Sequence, residues 1–310
     1  MRLLVVGAGS TGGYFGARLA QAGRDVTFLV RRERAALLRA NGLQILSPHG
    51  DLTLSPNLVT AGEIASPYDV VLLTVKAFSL EAAMNDMASA VGAETVILPV
   101  LNGMRHVDIL RGRFGPNSVA GCVCIISSNL DEQGRIVQLT RHQSLAYGEF
   151  DGAPSARMQK VDAFMQGAGF EARLSAAIAR EMWEKWILLA SLGGITCLMR
   201  GSIGEIEAAP GGRQFARRFL EEVVSIVRRV GSPPSESFLE TAAATLTTPG
   251  SPLTSSMYRD LQKGGAIEAD QIIGDLLARG REQNIDAPLL AAAYTSLSMH
   301  QRRSANPRAP

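Results

Sequence analysis

Long apolar runs are missing from this 310-residue sequence. The longest, Trp186 to Met199, falls short of the ~20 residues that a membrane-crossing helix needs. Charge of one sign is missing too. The 31 Lys and Arg set against 29 Asp and Glu leave a formal +2, whereas a nucleic-acid partner calls for a basic stripe. Cysteine is scarce: Cys122, Cys124 and Cys197 follow no zinc-ligand spacing, and an odd number of thiols fits a reducing compartment better than a disulfide framework. In "SVAGCVCII" a strand would put the sulfurs of Cys122 and Cys124 on one face, as for buried structural thiols. The four histidines, His49, His106, His142 and His300, form no i, i+4 pair, so no metal site is expected; His106, just after the Asn102 loop, reads as a helix-surface residue first and as an edge of a site second. Met1 leads straight into "RLLVVGAG" without a leader-like pattern. The expectation is a soluble cytoplasmic protein with neither membrane nor nucleic acid as partner.

What is present is enough for globular structure. Apolar residues make up 46% and charged residues only 19%, which excludes a disordered chain. The length exceeds what one hydrophobic core usually serves, about 250–300 residues, so two domains are expected. In the first half, short apolar runs (Leu3–Gly7, Val26–Val30, Val70–Val75, Thr95–Val100, Val119–Ile125) alternate with helix-like stretches (Gly12–Ala22, Arg34–Asn41, Ser79–Val91). That alternation predicts an α/β domain, a doubly wound parallel sheet of the Rossmann type. "RIVQL", "SLAYGEF" and "FEARL" read as added edge strands rather than a further βαβ unit. From Ser175 the composition turns helical. Stretches around Gln214–Val230, Ser235–Leu246, Ile267–Arg281 and Pro288–His300 are separated by "AAPGG", "GSPPS" and "TTPGSP". The predicted division is 1–174 for the nucleotide domain and 175–310 for an all-helical domain, with a tail, "RRSANPRAP", that frays.

Gly7-x-Gly9-x-x-Gly12 follows the first strand and opens a helix, which is the context that turns a glycine triplet into a dinucleotide signature. Gly7 suits the tight turn, Gly9 lets backbone approach a diphosphate, and Gly12 permits close helix–strand packing. The diphosphate would then lie at the helix N-terminus, where free N–H groups and the dipole favour an anion. At the end of the second strand an NAD site has an acidic residue; "TFLVRRERA" has Arg31 and Arg32 instead. A guanidinium binds a 2′-phosphate through two parallel bonds, so the expected cofactor is NADP(H), with Arg31 as the phosphate ligand. Lys76 in "VLLTVKAF" and Asn102-Gly103 in "VILPVLNGM" follow two later strands, at the sheet edge where such folds bind ligands. Taken singly, these are a surface lysine and a turn asparagine; beside the glycine loop they become site candidates.

These motifs, with "TVKAF", "LNGM", "EMWEKW" and "SSMYRDLQKGGAIEADQIIGDLL" in that order, resemble the ketopantoate reductase family over almost the whole chain, from Met1 to about Met299. The family belongs to the 6-phosphogluconate dehydrogenase-like superfamily and comprises NADPH-dependent 2-dehydropantoate 2-reductases of pantothenate and coenzyme A synthesis. The resemblance implies a Rossmann domain, a helical domain, and an active site in the cleft between them. It implies a catalytic lysine at Lys185, a substrate-binding and catalytic glutamate at Glu268, and a carboxylate-holding serine at Ser256. It implies an amide at the cofactor–substrate junction at Asn102, a cofactor-side lysine at Lys76, and an acidic substrate-side position at Asp260. An ammonium at Lys185 suits the alkoxide that hydride transfer creates, and Trp183 and Trp186 beside it in sequence would partly desolvate it. Without the resemblance, Lys185 reads as a polar break in a helix, Glu268 as a solvent-facing carboxylate and Ser256 as a helix N-cap.

One departure stands out. Family members commonly carry asparagines four and eight residues after the lysine, and here those positions hold Leu189 and Gly193. Loss of two amides on the lysine's own helix face removes partners for a polar substrate. Three readings therefore stay open: ketopantoate reduction, a related NADP-dependent oxidoreductase for a less polar 2-oxo acid, and a non-catalytic NADP-sensing regulator. The sequence leaves the oligomeric state open, a homodimer being one of the assemblies it allows. Replacing Arg31 with alanine is expected to weaken NADPH binding roughly 10–100-fold, the worth of a charged hydrogen bond, and to leave NADH within about 2-fold. Titration calorimetry with both nucleotides checks this, and an equal loss for both removes Arg31 from the 2′-phosphate.

Overall fold

A computed structural model describes residues 1–305. The chain divides into two compact units, Met1–Leu101 with His106–Ala179, and Asn102–Arg105 with the chain from Arg180 onward. The division falls five residues beyond the expected 174/175 junction because Ser175–Ala179 packs on the first unit. The Ser175 N–H donates to the Tyr147 carbonyl at 2.8 Å, and Ile178 lies fully buried against Gly148.

Ten strands build the first unit: β1 (Arg2–Val6), β2 (Asp25–Leu29), β3 (Leu43–Leu46), β4 (Leu52–Leu54), β5 (Asn57–Val59), β6 (Val70–Leu73), β7 (Val96–Pro99), β8 (Gly121–Leu130), β9 (Ile136–Gly148) and β10 (Glu171–Leu174). Five helices accompany them: α1 (Ser10–Gln21), α2 (Arg32–Asn41), α3 (Leu80–Asp86), α4 (Arg105–Phe114) and α5 (Ala156–Met165). The main sheet runs β5-β2-β1-β6-β7 with every neighbouring pair parallel. Strands of such a sheet are buried on both faces. In β1, Leu3 and Val5 enter one core with α1 and α2, while Leu4 and Val6 enter a second core with α3 and α4.

Two expectations from the alternation are corrected. Val119–Ile125 is not a strand of the parallel sheet: only an isolated bridge joins Val119 to Ile97. The chain then turns away to form β8, which pairs antiparallel with β9. The fifth parallel strand is instead β5, too short to show a period in the sequence. "RIVQL" and "SLAYGEF" belong to one continuous strand, β9, and "FEARL" supplies β10, parallel to β9 with α5 crossing between them. That is a βαβ unit. The second sheet runs β10-β9-β3-β4 with β8 also on β9, and α1 lies between the two sheets, its Phe15 and Tyr14 fully buried. Cys122 and Cys124 are buried in that core and joined by no disulfide. His106 is buried in α4, against the surface placement expected of it, because it occupies an inward position beside Val107 and Leu110.

The second unit holds seven helices among the described residues: α6 (Ile178–Met199), α7 (Ile203–Ala208), α8 (Gly212–Val230), α9 (Glu236–Leu246), α10 (Ser256–Gln262), α11 (Asp275–Glu282) and α12 (Pro288–Ala305). A π-helical turn, Asp270–Gly274, runs into α11. α6 is the axis: its Gly194 lies on the Phe219 ring of α8, and its Trp183 lies under Gly231 at the end of α8. Carboxylates cap neighbouring helices. Glu184 accepts from the Ser235 N–H and hydroxyl at 2.8 Å each, at the start of α9. Glu222 accepts from the N–H groups of Leu289 and Leu290 at the start of α12, where a negative charge opposes the helix dipole. The tail is helical through Ala305; positions 306–310 lie outside the described residues. No helix among the described residues is long and apolar enough to cross a membrane.

The β9–α5 crossover is fixed by charge. Arg157 places Nε and Nη2 on the two oxygens of Glu149, each at 2.6 Å, and Ser155, the N-cap of α5, donates to the same carboxylate at 2.6 Å. The Arg157 and Ser155 bonds hold the Glu149 carboxyl below its ordinary value. A depressed folded value means the stabilisation is present above the unfolded value, ~4.3, and is lost as pH falls through the folded one. Glu149→Gln is expected to cost about 1–2 kcal/mol at pH 7, with the difference from the parent shrinking below about pH 4. Urea titrations across pH 3–7 check it; a constant difference would remove the charge from the account.

Candidate active site

The glycine loop is fixed at the carboxyl ends of three adjacent strands. Gly7 leaves β1 at φ +98°, a conformation that suits glycine, and its N–H donates to the Leu29 carbonyl of β2 at 3.0 Å. Thr74, just past β6, donates its hydroxyl to the carbonyls of Val6 and Gly7, both at 2.9 Å. Gly12, in the first turn of α1, lies so close to this pair that a Cβ would overlap both the Thr74 hydroxyl and the Gly7 carbonyl oxygen. Gly9 is the opposite case. It is the N-cap of α1 in extended conformation, no side chain caps that helix, and a Cβ on Gly9 would meet nothing within 4 Å. The N-terminus of α1 therefore points its free N–H groups into open space, the arrangement that receives an anion.

Around this loop the parallel register gathers cations. Arg31 is the exposed N-cap residue of α2, directly after β2, and Lys76 is exposed after β6, heading the short 3₁₀ turn Ala77–Ser79. Because β2, β1 and β6 are neighbours, Arg31, the glycine loop and Lys76 share one sheet edge. Arg32 is exposed on the first turn of α2. Two participants escaped the sequence reading. Thr74 was legible only as the threonine two before Lys76. Arg34 was legible only as the arginine one helical turn after Arg31. Arg34 donates to the Ala8 carbonyl from Nε at 3.3 Å and Nη2 at 3.1 Å, and from Nη2 to the Gly134 carbonyl at 3.1 Å.

The other expected site residues lie in the second unit. Lys185 and Leu189 are half-buried on α6 and Gly193 is buried. With Thr196 they fall on one face, spaced four, four and three apart. That face meets the start of α10: Thr196 and Ser255 hydroxyls lie 2.9 Å apart, and a Cβ on Gly193 would come within 2.8 Å of the Met257 methyl. Ser255, not Ser256, is the N-cap of α10. Ser256 is the first helical residue and exposed, and Asp260, four residues on, is half-buried. Ser256 thus lies between Ser255, which meets α6 at Thr196, and Met257, whose methyl reaches Gly193. Trp183 and Trp186 turn toward the helical core, their rings 5.2 Å apart, and their angular positions on α6 differ from that of Lys185 by 100° or more.

Trp186 makes the link to Glu268. Its Nε1 donates to the Ile272 carbonyl in the π-helical turn at 2.9 Å, and a Cβ on Gly103 would come within 2.6 Å of the Gln271 carbonyl oxygen and 3.7 Å of the Trp186 ring. Asn102, half-buried beside Gly103, therefore packs where α6 meets that turn. Glu268 lies two residues before the turn, buried at 7% exposure, with its carbonyl accepting from the Ile272 N–H at 3.0 Å. It does not face solvent. π-helical turns recur at functional sites. Among the described residues no group of three or more His, Cys, Asp or Glu side chains could hold a metal ion.

Comparison with known proteins settles the family. The model for ketopantoate reductase PanE/ApbA matches residues 3–152, and that for its C-terminal part matches residues 177–301. The chain belongs to the ketopantoate reductase family. It is therefore a pyridine-nucleotide-dependent oxidoreductase. Among its relatives is the uncharacterized oxidoreductase YkpB of Bacillus subtilis, 35% identical over 97% of this chain and 99% of that one. A 2-dehydropantoate 2-reductase from Geobacter metallireducens has a similar structure, with a TM-score of 0.86 and 28% identity over 96% of this chain and 99% of the other. A D-mandelate dehydrogenase solved with NADH and anilino(oxo)acetate shares the fold, with a TM-score of 0.85 and 19% identity over 98% and 100% of the two chains.

Gly9 and Gly12 separate the two uses of a glycine. Gly9→Ala is expected to leave the melting temperature within about 2 °C and to weaken nucleotide binding at least 10-fold, since its methyl enters only the open space. Gly12→Ala is expected to cost about 1–3 kcal/mol by overpacking. Thermal melts with and without nucleotide check both; a Gly9→Ala protein that binds normally would show that the diphosphate lies elsewhere.

Proposed function

We propose that this reductase uses NADPH to convert a 2-oxo acid to the 2-hydroxy acid, with ketopantoate as the acid and pantoate as the product. The observation that carries the reading is the shared face of α6. One side chain there, Lys185, is a half-buried cation, and two turns along, the same face abuts the helix start that bears Ser256.

The nucleotide fits the first unit's residues. The open side of Gly9 and the uncapped start of α1 suit a diphosphate, and Arg31, where an NAD site would hold a carboxylate, suits a 2′-phosphate. Lys76 and Asn102 are assigned to the cofactor's ribose and phosphate side, and Asn102 to the substrate as well. Bound there, the reduced nicotinamide would supply the hydride that the carbonyl carbon of the acid receives. The protein's part is charge and a proton. Lys185 stabilises the oxygen as it becomes an alkoxide, then gives that oxygen its proton. Ser256 binds the carboxylate of the acid, Glu268 orients the amine or accepts from a substrate hydroxyl, and Asp260 lies on the substrate side.

Leu189 and Gly193 favour a second reading within the same chemistry. On the lysine's face they offer apolar surface, with the Met257 methyl seated over Gly193, so an acid without a distal hydroxyl is the alternative substrate. A hydroxyl-free side chain gains where no amide waits for a partner.

Lys185→Ala is expected to lower kcat about 100- to 10,000-fold while the NADPH dissociation constant stays within about 2-fold. An unchanged rate removes Lys185 from the mechanism. Steady-state kinetics with ketopantoate, 2-oxoisovalerate and phenylglyoxylate separate the two substrate readings: the highest kcat/KM on ketopantoate supports the first, and no turnover of it defeats the first in favour of the second.

A further inference from the structure

Arg34 has an unusual set of partners. Its guanidinium is half-buried, and its described bonds go only to two main-chain carbonyls, Ala8 in the glycine loop and Gly134 in the β8–β9 turn. No carboxylate among the described residues pairs with it, and burial draws its pKa downward from the ordinary value. A half-buried cation held by neutral acceptors does little for stability by itself. What it does is fix one peptide plane. Ala8 is buried at 4% exposure, and two nitrogens of Arg34 converge on its carbonyl oxygen. Across a planar trans peptide, the N–H of the next residue points opposite to that carbonyl. The next residue is Gly9, whose N–H has no partner among the described residues and whose side is open.

We infer that Arg34 is a positioning residue of the nucleotide site: by holding the Ala8 carbonyl, it aims the Gly9 N–H at the cofactor's diphosphate. The inference rests on the proposal that the glycine loop binds a dinucleotide. It gives Arg31 and Arg34, one helical turn apart on α2, different tasks. Arg31, exposed at the end of β2, reads the 2′-phosphate. Arg34 works through a peptide bond on the part of the cofactor common to NADH and NADPH.

Two nucleotide fragments separate these tasks. ADP-ribose carries the diphosphate without a 2′-phosphate, and adenosine 2′-monophosphate carries the 2′-phosphate without a diphosphate. Titration calorimetry on the full chain would compare the parent with Arg34→Met, Arg34→Lys and Arg31→Ala. Arg34→Met is expected to weaken ADP-ribose, NADH and NADPH by a common factor of about 10 and to leave adenosine 2′-monophosphate within about 2-fold. Arg34→Lys, which keeps a donor for one carbonyl, should recover part of the loss, and it carries the test alone if the Met variant does not fold. Arg31→Ala should show the reverse pattern between the fragments. Loss of both fragments with Arg34→Lys or Arg34→Met, loss confined to NADPH, or no change in any ligand would each overturn the positioning role. A parent protein that binds neither fragment nor NADPH would overturn the nucleotide reading itself, and this inference with it.

Discussion

The contact of Gly12 with Thr74 and the Gly7 carbonyl is the constraint on which the nucleotide-binding half depends. A helix can approach the ends of two strands this closely only where no Cβ intervenes. Thr74 uses the closeness, tying the last residue of β1 and the first of the loop to β6 with one hydroxyl. The Gly7 N–H ties the same loop to β2. Three strand ends and one helix start are thereby joined within a few ångströms. That junction, rather than any single ligand-facing side chain, decides where the free N–H groups of α1 point. It also explains why α1 can be sandwiched between two sheets: its first turns are nearly bare, and its bulk, Tyr14 and Phe15, goes into the core on the side of the second sheet.

The helical half solves a different problem, that of keeping polar groups on a helix otherwise committed to apolar packing. α6 is buried along most of its length, yet Lys185 remains half-exposed because the tryptophans beside it in sequence turn toward the core. Trp186 does more than fill space. Its N–H satisfies a carbonyl of the π-helical turn, at the place where Gly103 comes close to the same turn. The turn, the Asn102–Gly103 segment and the middle of α6 are thus held in one arrangement by backbone groups. An arrangement of that kind does not depend on the side chains of Leu189 and Gly193, so these positions can vary without disturbing the helix that carries Lys185.

How much of this the sequence disclosed depended on whether a residue's role was local. The glycine triplet, the arginines after β2 and the strand–helix alternation are local patterns with a fixed period or spacing, and they led to a parallel sheet with the cofactor loop at its edge. β5 and β4 are three residues each, too short for any period to show. The split of β9 into two apparent strands came from "TRHQS", a polar stretch in its middle in which Thr140 to His142 are exposed and Gln143 is buried against the Tyr14 hydroxyl. The βαβ character of β9–α5–β10 was hidden because α5 has only a weak apolar stripe. In the helical half, "SSM" offered two adjacent serines and only the backbone geometry assigns the cap to Ser255. Glu268 looked like any helical carboxylate; what buries it is the π-helical turn, which has no sequence signature. Arg34 stood in a run of charges that reads as solvated surface, and its partners lie 26 and 100 residues away.

Arg31, at the N-cap of α2, and Arg34, within it, also differ in how water and salt act on them. An exposed guanidinium such as Arg31 exerts its attraction through solvent, where ions at physiological strength screen it beyond about 8 Å. Arg34 is half-buried and spends its donors on fixed carbonyls, so its effect is geometric and passes through a rigid peptide rather than through the field. On the proposed roles of Arg31 and Arg34, discrimination between the two nicotinamide cofactors would be the salt-sensitive property of this loop, and orientation of the diphosphate the salt-insensitive one. The same division accounts for the sequence "RRERA". Its first two arginines stand exposed, while the arginine one turn later is tied by hydrogen bonds to the Ala8 and Gly134 carbonyls.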